Sequence, residues 1–514
     1  MRAPRNIDGR DGRLRRRQFF ERGSAAGSKV ATRNRSFATD LLTLASGTVL
    51  SQFLGALATT VIARLFAPEA FGVSALFMSL VGILVVVACL RYETAILVPE
   101  QEEEAANVFG LSIAISIFVT LLAFPLFGFG ARTLANTLKS PEFTPYVALV
   151  PVGVFLGALK LTLDAWSTRR RSFGQITSAQ VLGTVGMVGT QIVAGTMGHA
   201  TAGWLITGTL AGAGLFSAAL CVHLAKSSGQ IVHAITPRNM WVACRRYRRF
   251  PQYNVLSSVL NALSWQMPTF LLAAFFTTTV VGQYSLGNRL LRLPMALIGA
   301  NISRAFFPRA AAAQLKGDLA PVVQNALHYL LAATLFPCML LALISKDLFV
   351  LIFGARWAEA GVYAQILSPF TFFWFMSVPL NPVLPVLQQQ AVELRFEALS
   401  FTTRLLSLVA GGFLGSILLT LALFSISGAI VHGLYSVAIL KKAHVPFVNV
   451  YNLAAPHLIM TIPAGLIIVA AQYSGLSPKI VLAISFVLMV LYYCRLVQRN
   501  PTARQLLSRY VGSI

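Results

Sequence analysis

Apolar runs of about 20 residues, the length that crosses the hydrocarbon core of a bilayer, recur from residue 40 almost to the end of the chain. Only short polar breaks separate them, and no break could hold a separate globular domain. Charged residues make up 11% of the 514 residues, well below the roughly 25% that soluble domains carry. The sequence therefore predicts an all-α membrane protein and argues strongly against a soluble one.

The apolar runs divide into about fourteen predicted spanning helices, an even number that puts both ends of the chain on one side of the membrane. The predicted helices cover residues 40–65, 70–90, 105–129, 143–164, 178–196, 201–224, 252–276, 280–303, 320–344, 358–385, 400–419, 421–440, 453–473 and 478–496. One long apolar tract had to be cut at about Leu421 to give two of these helices.

The formal net charge of +24 is distributed as the positive-inside rule expects. About a quarter of the Lys and Arg residues precede residue 36, and most of the others fall in alternate loops. The charge is therefore interpreted as a topology signal that places both termini in the cytoplasm. Nucleic acid, which a basic protein could otherwise bind, is not expected as a partner.

An internal repeat predicts a plan with two lobes. Residues 63–66 followed by Gly72 match residues 273–276 followed by Gly282 at a constant offset. Transporters often consist of such repeats with a central site between them, although chance similarity between apolar helices is an alternative. The expected divisions are a basic cytoplasmic tail over 1–37, an N-terminal bundle over 38–225, a basic linker over 226–251, a C-terminal bundle over 252–442, and an extra helix pair with a tail over 443–514.

Several short motifs carry a family resemblance. They are Arg64–Gly72, Leu90–Pro99, Tyr247–Pro251, Gly282–Leu286 and Pro308–Arg309. The chain resembles the oligosaccharide flippase family of polysaccharide biosynthesis proteins in these stretches. The resemblance implies the multidrug/oligosaccharidyl-lipid/polysaccharide exporter fold, which has two helical bundles around a central cavity that opens to alternate sides.

The same resemblance implies what the protein would carry. The cargo would be a polyprenyl-diphosphate-linked oligosaccharide, flipped from the cytoplasmic to the periplasmic leaflet for exopolysaccharide or lipopolysaccharide synthesis. Membrane lipids would surround the protein, and a polysaccharide polymerase or export machinery would be a further partner.

Two arginines in the predicted eighth helix are the leading candidates for binding this cargo. A charge at mid-bilayer costs roughly 2.5 to 3.5 kcal/mol, so such a residue is a functional suspect. Arg289 and Arg292 share one helical face, and no acidic residue lies between Val280 and Phe307. Guanidinium groups bind phosphate oxygens bidentately, which suits a diphosphate. The alternative is that each arginine pairs with an acid or with carbonyls on a neighbouring helix.

Four other residues complete the predicted binding site. Arg304 would receive the head group at the cytoplasmic mouth or anchor the interface. Arg64, at the end of the first helix, would face the cavity exit or extend to the interface. Asn261 and Gln266 would offer hydrogen bonds to sugar rings, or to neighbouring helices.

One carboxylate is a candidate for energy coupling, and no cofactor is expected. Asp164 could take a proton or a coupling ion, although its spacing from Lys160 also suits mutual pairing. His328, His432 and His457 fall singly on different helices, so the sequence indicates no metal site.

Two alternative functions differ from a flippase. An O-antigen polymerase or ligase would be an enzyme with a large periplasmic loop, but the longest break on that side, about 345–357, is an ordinary loop length. A cation-coupled multidrug exporter would share the fold, but cationic drugs favour an acidic cavity, and the candidate residues Arg289 and Arg292 are basic. The sequence therefore favours transport of an anionic lipid-linked sugar without catalysis.

Overall fold

The computed structural model of the chain describes residues 49–227, 234–295 and 299–499, and within these ranges it contains helices and no strands. Among the described residues, ten helices are long and apolar enough to cross a membrane. The chain is therefore a multi-pass all-α membrane protein, as predicted. The predicted cytoplasmic tail over 1–37 lies outside the described residues.

Six long helices form the N-terminal bundle. They are α1 (Val49–Leu65), α2 (Pro68–Ala88), α3 (Glu102–Thr137), α4 (Val150–Arg169), α5 (Phe173–Thr196) and α6 (Ala202–Ser227). A short helix, Pro237–Arg246, follows in the predicted linker and is called the linker helix below.

Seven helices form the C-terminal bundle, and two more pack outside it. The bundle helices are α7 (Val255–Phe275), α8 (Thr278–Pro294), α9 (Ala300–Lys316), α10 (Leu319–Phe353), α11 (Ala358–Ser377), α12 (Gln390–Phe413) and α13 (Ile417–Lys442). The outer pair is α14 (Phe447–Tyr473) and α15 (Pro478–Arg499), which contacts the bundle along α10. Buried apolar side chains of α10, α14 and α15 form their own core there.

Each of the fourteen predicted spanning segments overlaps a helix in the described ranges, but several boundaries were wrong. The helix predicted over 105–129 extends to Thr137, and the end predicted at residue 303 falls inside α9, which continues to Lys316. The break predicted at about 345–357 is shorter, because α10 continues through Lys346 and Asp347 to Phe353.

Another error concerns the cut that was predicted at about Leu421. The helices separate earlier, where Gly415 adopts a positive φ of 69° that ends α12. Ser416 then caps α13, since its side chain accepts a hydrogen bond from the backbone N–H of Leu419. Gly415 and Ser416 end one helix and begin the next, although apolar residues surround them on both sides.

Three helices of the C-terminal bundle are more polar than the apolar spans. The helices α7, α8 and α12 are not among the ten apolar spans, and each carries polar or charged side chains such as Asn261, Arg289 and Arg404. In the described structure α7 packs against α2 and α12, while α8 packs against α2 and α11. Contacts with these neighbouring helices shield part of each polar helix, as for Arg404, which is buried.

The two bundles touch at a crossing of α2 and α8 that has local two-fold symmetry. A Cβ atom placed on Gly72 would lie 1.9 Å from the carbonyl oxygen of Thr278, and one on Gly282 would lie 1.8 Å from the carbonyl oxygen of Pro68. Under the offset of the sequence repeat, Gly72 corresponds to Gly282 and Pro68 to Thr278. The contact is therefore reciprocal, which confirms the predicted repeat in three dimensions.

Hydrogen bonds between the bundles surround this crossing. Thr279 donates to Glu69, its counterpart in the repeat, at 2.8 Å. Arg64 donates to the carbonyls of Leu351 and Ile352, both at 2.9 Å, at the end of α10. The indole of Trp357 donates to the carbonyl of Ala63 at 2.7 Å.

These contacts define the closed end of the protein. The carbonyls that accept from Arg64 and Trp357 lie in the last turns of α10 and α1, where a helix leaves its carbonyls without partners. Each bundle therefore caps a helix end of the other.

Substituting either crossing glycine is expected to open the closed end. Gly72→Ala or Gly282→Ala places a methyl group against backbone that cannot rotate away, and overpacking of this kind costs roughly 1 to 3 kcal/mol. We expect a lower thermal unfolding temperature in detergent and reduced cross-linking between Glu69→Cys and Thr279→Cys. The control Gly128→Ala, with no atom near the added methyl group, should leave both unchanged. Equal cross-linking in the crossing variants would contradict this assignment.

Candidate functional site

A cavity of about 510 Å³ lies within the C-terminal bundle, between α7, α11, α12 and α13. Its size is typical of small-molecule binding sites. The lining combines aromatic, amide, hydroxyl and charged side chains, among them Asn261, Trp265, Trp374, Asn381, Glu397, Arg404 and Tyr435. Aromatic faces beside hydrogen-bonding groups suit a ligand that has both apolar and hydroxylated surfaces.

Arg404, on α12, is the most deeply buried charge that lines the cavity, with 6% of the residue exposed. Its Nη1 donates to both the carbonyl oxygen and the Oγ of Ser264, each at 3.0 Å. Its guanidinium carbon also lies 4.8 Å from the ring centroid of Trp265. Among the described residues Arg404 has no carboxylate within ion-pair distance.

A proline explains why Arg404 can bond to the backbone of α7. The carbonyl of Ser264 would normally accept from the N–H four residues later, but that residue is Pro268, which has none. An unpaired carbonyl in a membrane interior is costly. Arg404 fills this place, so the kinked turn of α7 and the buried cation stabilise each other.

Arg292, on α8, approaches the same aromatic cluster. Its guanidinium carbon lies 4.3 Å from the ring centroid of Trp265 and 5.8 Å from that of Trp374. The two indoles contact each other edge to face, with ring centroids 5.5 Å apart. Two cations thus share one indole, and within the described ranges Arg292 also lacks an acidic partner.

Arg289 lies on the side of α8 that faces the N-terminal bundle. A Cβ atom placed on Gly55 of α1 would lie 3.8 Å from its Nη2, so the guanidinium sits between the two bundles. The side chain is exposed, and it forms no ion pair with the described residues. The structure therefore separates Arg289 from the aromatic cluster that Arg292 joins, although the two residues are one turn apart.

The other predicted polar residues have different surroundings. Asn261 lines the cavity and is exposed. Gln266 instead accepts a hydrogen bond from Ser79 of α2 at 3.0 Å, and its Nε2 would meet a Cβ atom on Gly82 at 3.1 Å. Gln266 therefore joins the two bundles, the helix-to-helix role that the sequence left open.

Arg64 and Asp164 are not among the residues that line the cavity. Arg64 is bonded to the carbonyls at the end of α10, and Arg304 falls on α9, where its side chain is not among those described. Asp164 and Lys160, on α4, do not form an ion pair. The Lys160 ammonium lies instead 4.8 Å from the ring centroid of Phe216.

The family motif after α2 has a structural role at the end opposite the closed end. Leu90 and Arg91 both have positive φ angles, 46° and 63°, which turn the chain sharply. Arg91 then pairs with Glu93 at 3.1 Å, and the hydroxyl of Tyr92 donates to the carbonyl of Cys244 in the linker helix at 3.1 Å. Burial raises the pKa of the Glu93 carboxyl above its ordinary value. This motif attaches the linker to the N-terminal bundle.

Two of the histidines that looked isolated in the sequence are neighbours in space. The rings of His328 and His457 have centroids 5.3 Å apart, and Nδ1 of His457 lies 2.9 Å from the hydroxyl of Tyr492. Within the described ranges no group of three or more His, Cys, Asp or Glu residues could hold a metal ion. The sequence could not show that these two histidines are close, because α10, α14 and α15 come together only in the folded structure.

Arg404 is a cavity residue that the sequence did not bring into the predicted site. It lies early in the predicted helix over 400–419, without a second cation on its own helical face. The available signal was an arginine in an apolar stretch, together with Pro268 in the middle of another spanning helix.

The chain belongs to the polysaccharide biosynthesis protein family, whose sequence profile matches residues 61–362. No curated protein matches the chain in sequence. The family and the fold agree with the resemblance that the motifs indicated.

The fold is similar to those of solved transporters. The lipid II flippase MurJ, in an inward closed conformation, is 11% identical with a TM-score of 0.71, over 89% of this chain and 99% of that one. An inward-facing multidrug resistance MATE family transporter of the MOP superfamily is 15% identical with a TM-score of 0.62, over 76% and 95%. A MOP superfamily transporter from Pyrococcus furiosus is 12% identical with a TM-score of 0.52, over 79% and 96%.

The bond from Arg404 to the kinked turn of α7 can be tested with a double-mutant cycle. Arg404→Met leaves the carbonyl of Ser264 without a partner, which costs roughly 1 to 3 kcal/mol. Pro268→Ala restores an N–H to that carbonyl, so Arg404→Met should lower the thermal unfolding temperature less in the Pro268→Ala background than in the wild type. Additive effects of the two substitutions would show that the carbonyl does not depend on Arg404.

Proposed function

We propose that the protein is a flippase for a polyprenyl-diphosphate-linked oligosaccharide in the bacterial inner membrane. It moves the sugar from the cytoplasmic to the periplasmic leaflet by alternating access, for exopolysaccharide or lipopolysaccharide synthesis. Family membership and the exporter fold support this class of activity.

The proposal rests on one observation, that the guanidinium groups of Arg292 and Arg404 both contact the ring of Trp265. Arg292 and Arg404 lie 4.3 Å and 4.8 Å from its ring centroid, with no acidic partner among the described residues. Two such charges repel each other and are expensive to bury, so an anion that binds between them would relieve both costs. A diphosphate has enough oxygens to accept from both guanidinium groups. Arg289, at the interface between the bundles, would guide the diphosphate toward them.

The side chains that line the cavity beside the two arginines are suited to bind the sugar part of the cargo. Trp374 and Tyr435 offer apolar faces, and Asn261, Asn381 and Glu397 offer hydrogen bonds to hydroxyl groups. The cavity lies between helices of the C-terminal bundle, so we expect the saccharide to enter that bundle while the diphosphate stays at Trp265.

We infer from the closed end which stage of the transport cycle the structure represents. If the basic N-terminal tail lies in the cytoplasm, as the charge distribution indicates, then α1 ends at the periplasmic side and the closed end faces the periplasm. The structure then corresponds to a state that receives cargo from the cytoplasm, and both termini are cytoplasmic.

Removing both cations is expected to stop export. In cells that lack the native gene, Arg292→Gln together with Arg404→Gln should reduce surface polysaccharide by on the order of 100-fold, because each hydrogen bond to a charged group contributes roughly 1.5 to 3 kcal/mol. The lipid-linked oligosaccharide should accumulate inside the membrane, measured by mass spectrometry of extracted lipids. The variant protein should remain inserted at wild-type abundance.

Arg309→Gln is the matched control, since it removes an exposed arginine on α9 outside the cavity, and it should export normally. Full export from the double variant would contradict the proposed site. If efflux of a cationic dye fell instead, while polysaccharide export stayed normal, the chain would be a drug exporter of the same fold.

A further inference from the structure

The linker helix, Pro237–Arg246, is firmly attached to the N-terminal bundle on one side. The amide of Asn107 on α3 donates to the carbonyl of Ala234 and accepts from the N–H of Thr236, both at 3.0 Å. Glu104 accepts from the hydroxyl of Tyr247 at 3.0 Å and pairs with Arg246 at 2.8 Å. The linker helix therefore has a fixed orientation relative to α3.

The opposite side of the linker helix is exposed and combines apolar and cationic groups. Trp241 and Val242 are 59% and 57% exposed. Arg238 and Arg245 lie three or four residues from them, on the same helical face, and are also exposed. Neither arginine pairs with a carboxylate of the described residues, whereas Arg246 on the other side does.

This face lies at the level where the membrane surface is expected. The linker helix packs along the first turns of α3, where the acidic run Glu102–Glu104 gives way to the apolar sequence that begins at Ala105. Ile235, just before the helix, packs so closely on α3 that a Cβ atom on Gly110 would lie 2.7 Å from it. Tryptophan and arginine are the residues that membrane interfaces favour at this depth.

We propose that this exposed face binds the phosphates of anionic phospholipids. Trp241 and Val242 insert among the headgroups, while Arg238 and Arg245 pair with the lipid phosphates. The guanidinium carbon of Arg245 lies 5.2 Å from the ring centroid of Trp241, so one lipid phosphate could contact both the cation and the indole N–H. The charge of the face selects anionic lipids over zwitterionic ones, and the inference does not depend on the identity of the transported cargo.

The proposal can be tested with the full-length protein in nanodiscs of phosphatidylcholine with or without phosphatidylglycerol. Either lipid carries bromine near the headgroup as a fluorescence quencher, and the contribution of Trp241 is the difference between the wild type and Trp241→Phe. We expect Trp241 to be quenched more strongly by brominated phosphatidylglycerol than by brominated phosphatidylcholine. Because each cation near an anionic surface contributes up to about fivefold in affinity, Arg238→Gln with Arg245→Gln should remove most of that preference.

Arg309→Gln with Lys316→Gln is the control, because it removes the same charge from exposed positions on α9 and should keep the lipid preference at Trp241. Both variants change surface residues only, so both should fold. Absence of quenching at Trp241 by either lipid would overturn the proposal and leave the face to a protein partner. Equal quenching by the two lipids would overturn the claim that the cations select anionic headgroups.

Discussion

The close approach of α2 and α8 at Gly72 and Gly282 is the constraint on which the arrangement of the two bundles depends. Backbone meets backbone there, so no other residue type fits at either position without displacing a helix. The contact is symmetric under the sequence repeat, which means that both bundles present the same surface to each other. The hydrogen bonds from Thr279 to Glu69 and from Trp357 to Ala63 join the two bundles at the same end.

The chemistry of the closed end also allows it to open. Arg64 and Trp357 donate to carbonyls at helix ends, and these carbonyls can accept from water when the bundles part. Apolar packing deep in a bundle offers no such exchange. Under the alternating access proposed above, these polar contacts would lower the free-energy cost of opening, whereas the buried apolar side chains at the same end, such as Phe66 and Trp357, would hold it closed.

The sequence predicted the fold well because the signal for a spanning helix is local. Length and hydropathy located fourteen segments, and the repeat aligned Gly72 with Gly282, although the sequence did not show that these two glycines meet. The site was harder to predict, since a sequence shows which residues share a helical face and not which neighbour that face meets. The sequence grouped Arg289 with Arg292 because they share a helical face. In the structure Arg292 instead shares the ring of Trp265 with Arg404, which lies on a helix more than 100 residues away in sequence.

One turn of α7 connects the cation cluster to the contact between the bundles. Ser264 and Trp265 face Arg404 and Arg292 in the C-terminal bundle, whereas the next residue, Gln266, accepts from Ser79 of the N-terminal bundle. Pro268 removes a backbone hydrogen bond from this same turn, which makes it easier to deform than the rest of the helix. In the function proposed above, an anion that draws the two guanidinium groups together would act on Ser264 and Trp265, and a shift of their backbone would reach Gln266. Occupancy of the cavity and separation of the bundles would then be coupled through adjacent residues, without a longer path across the protein.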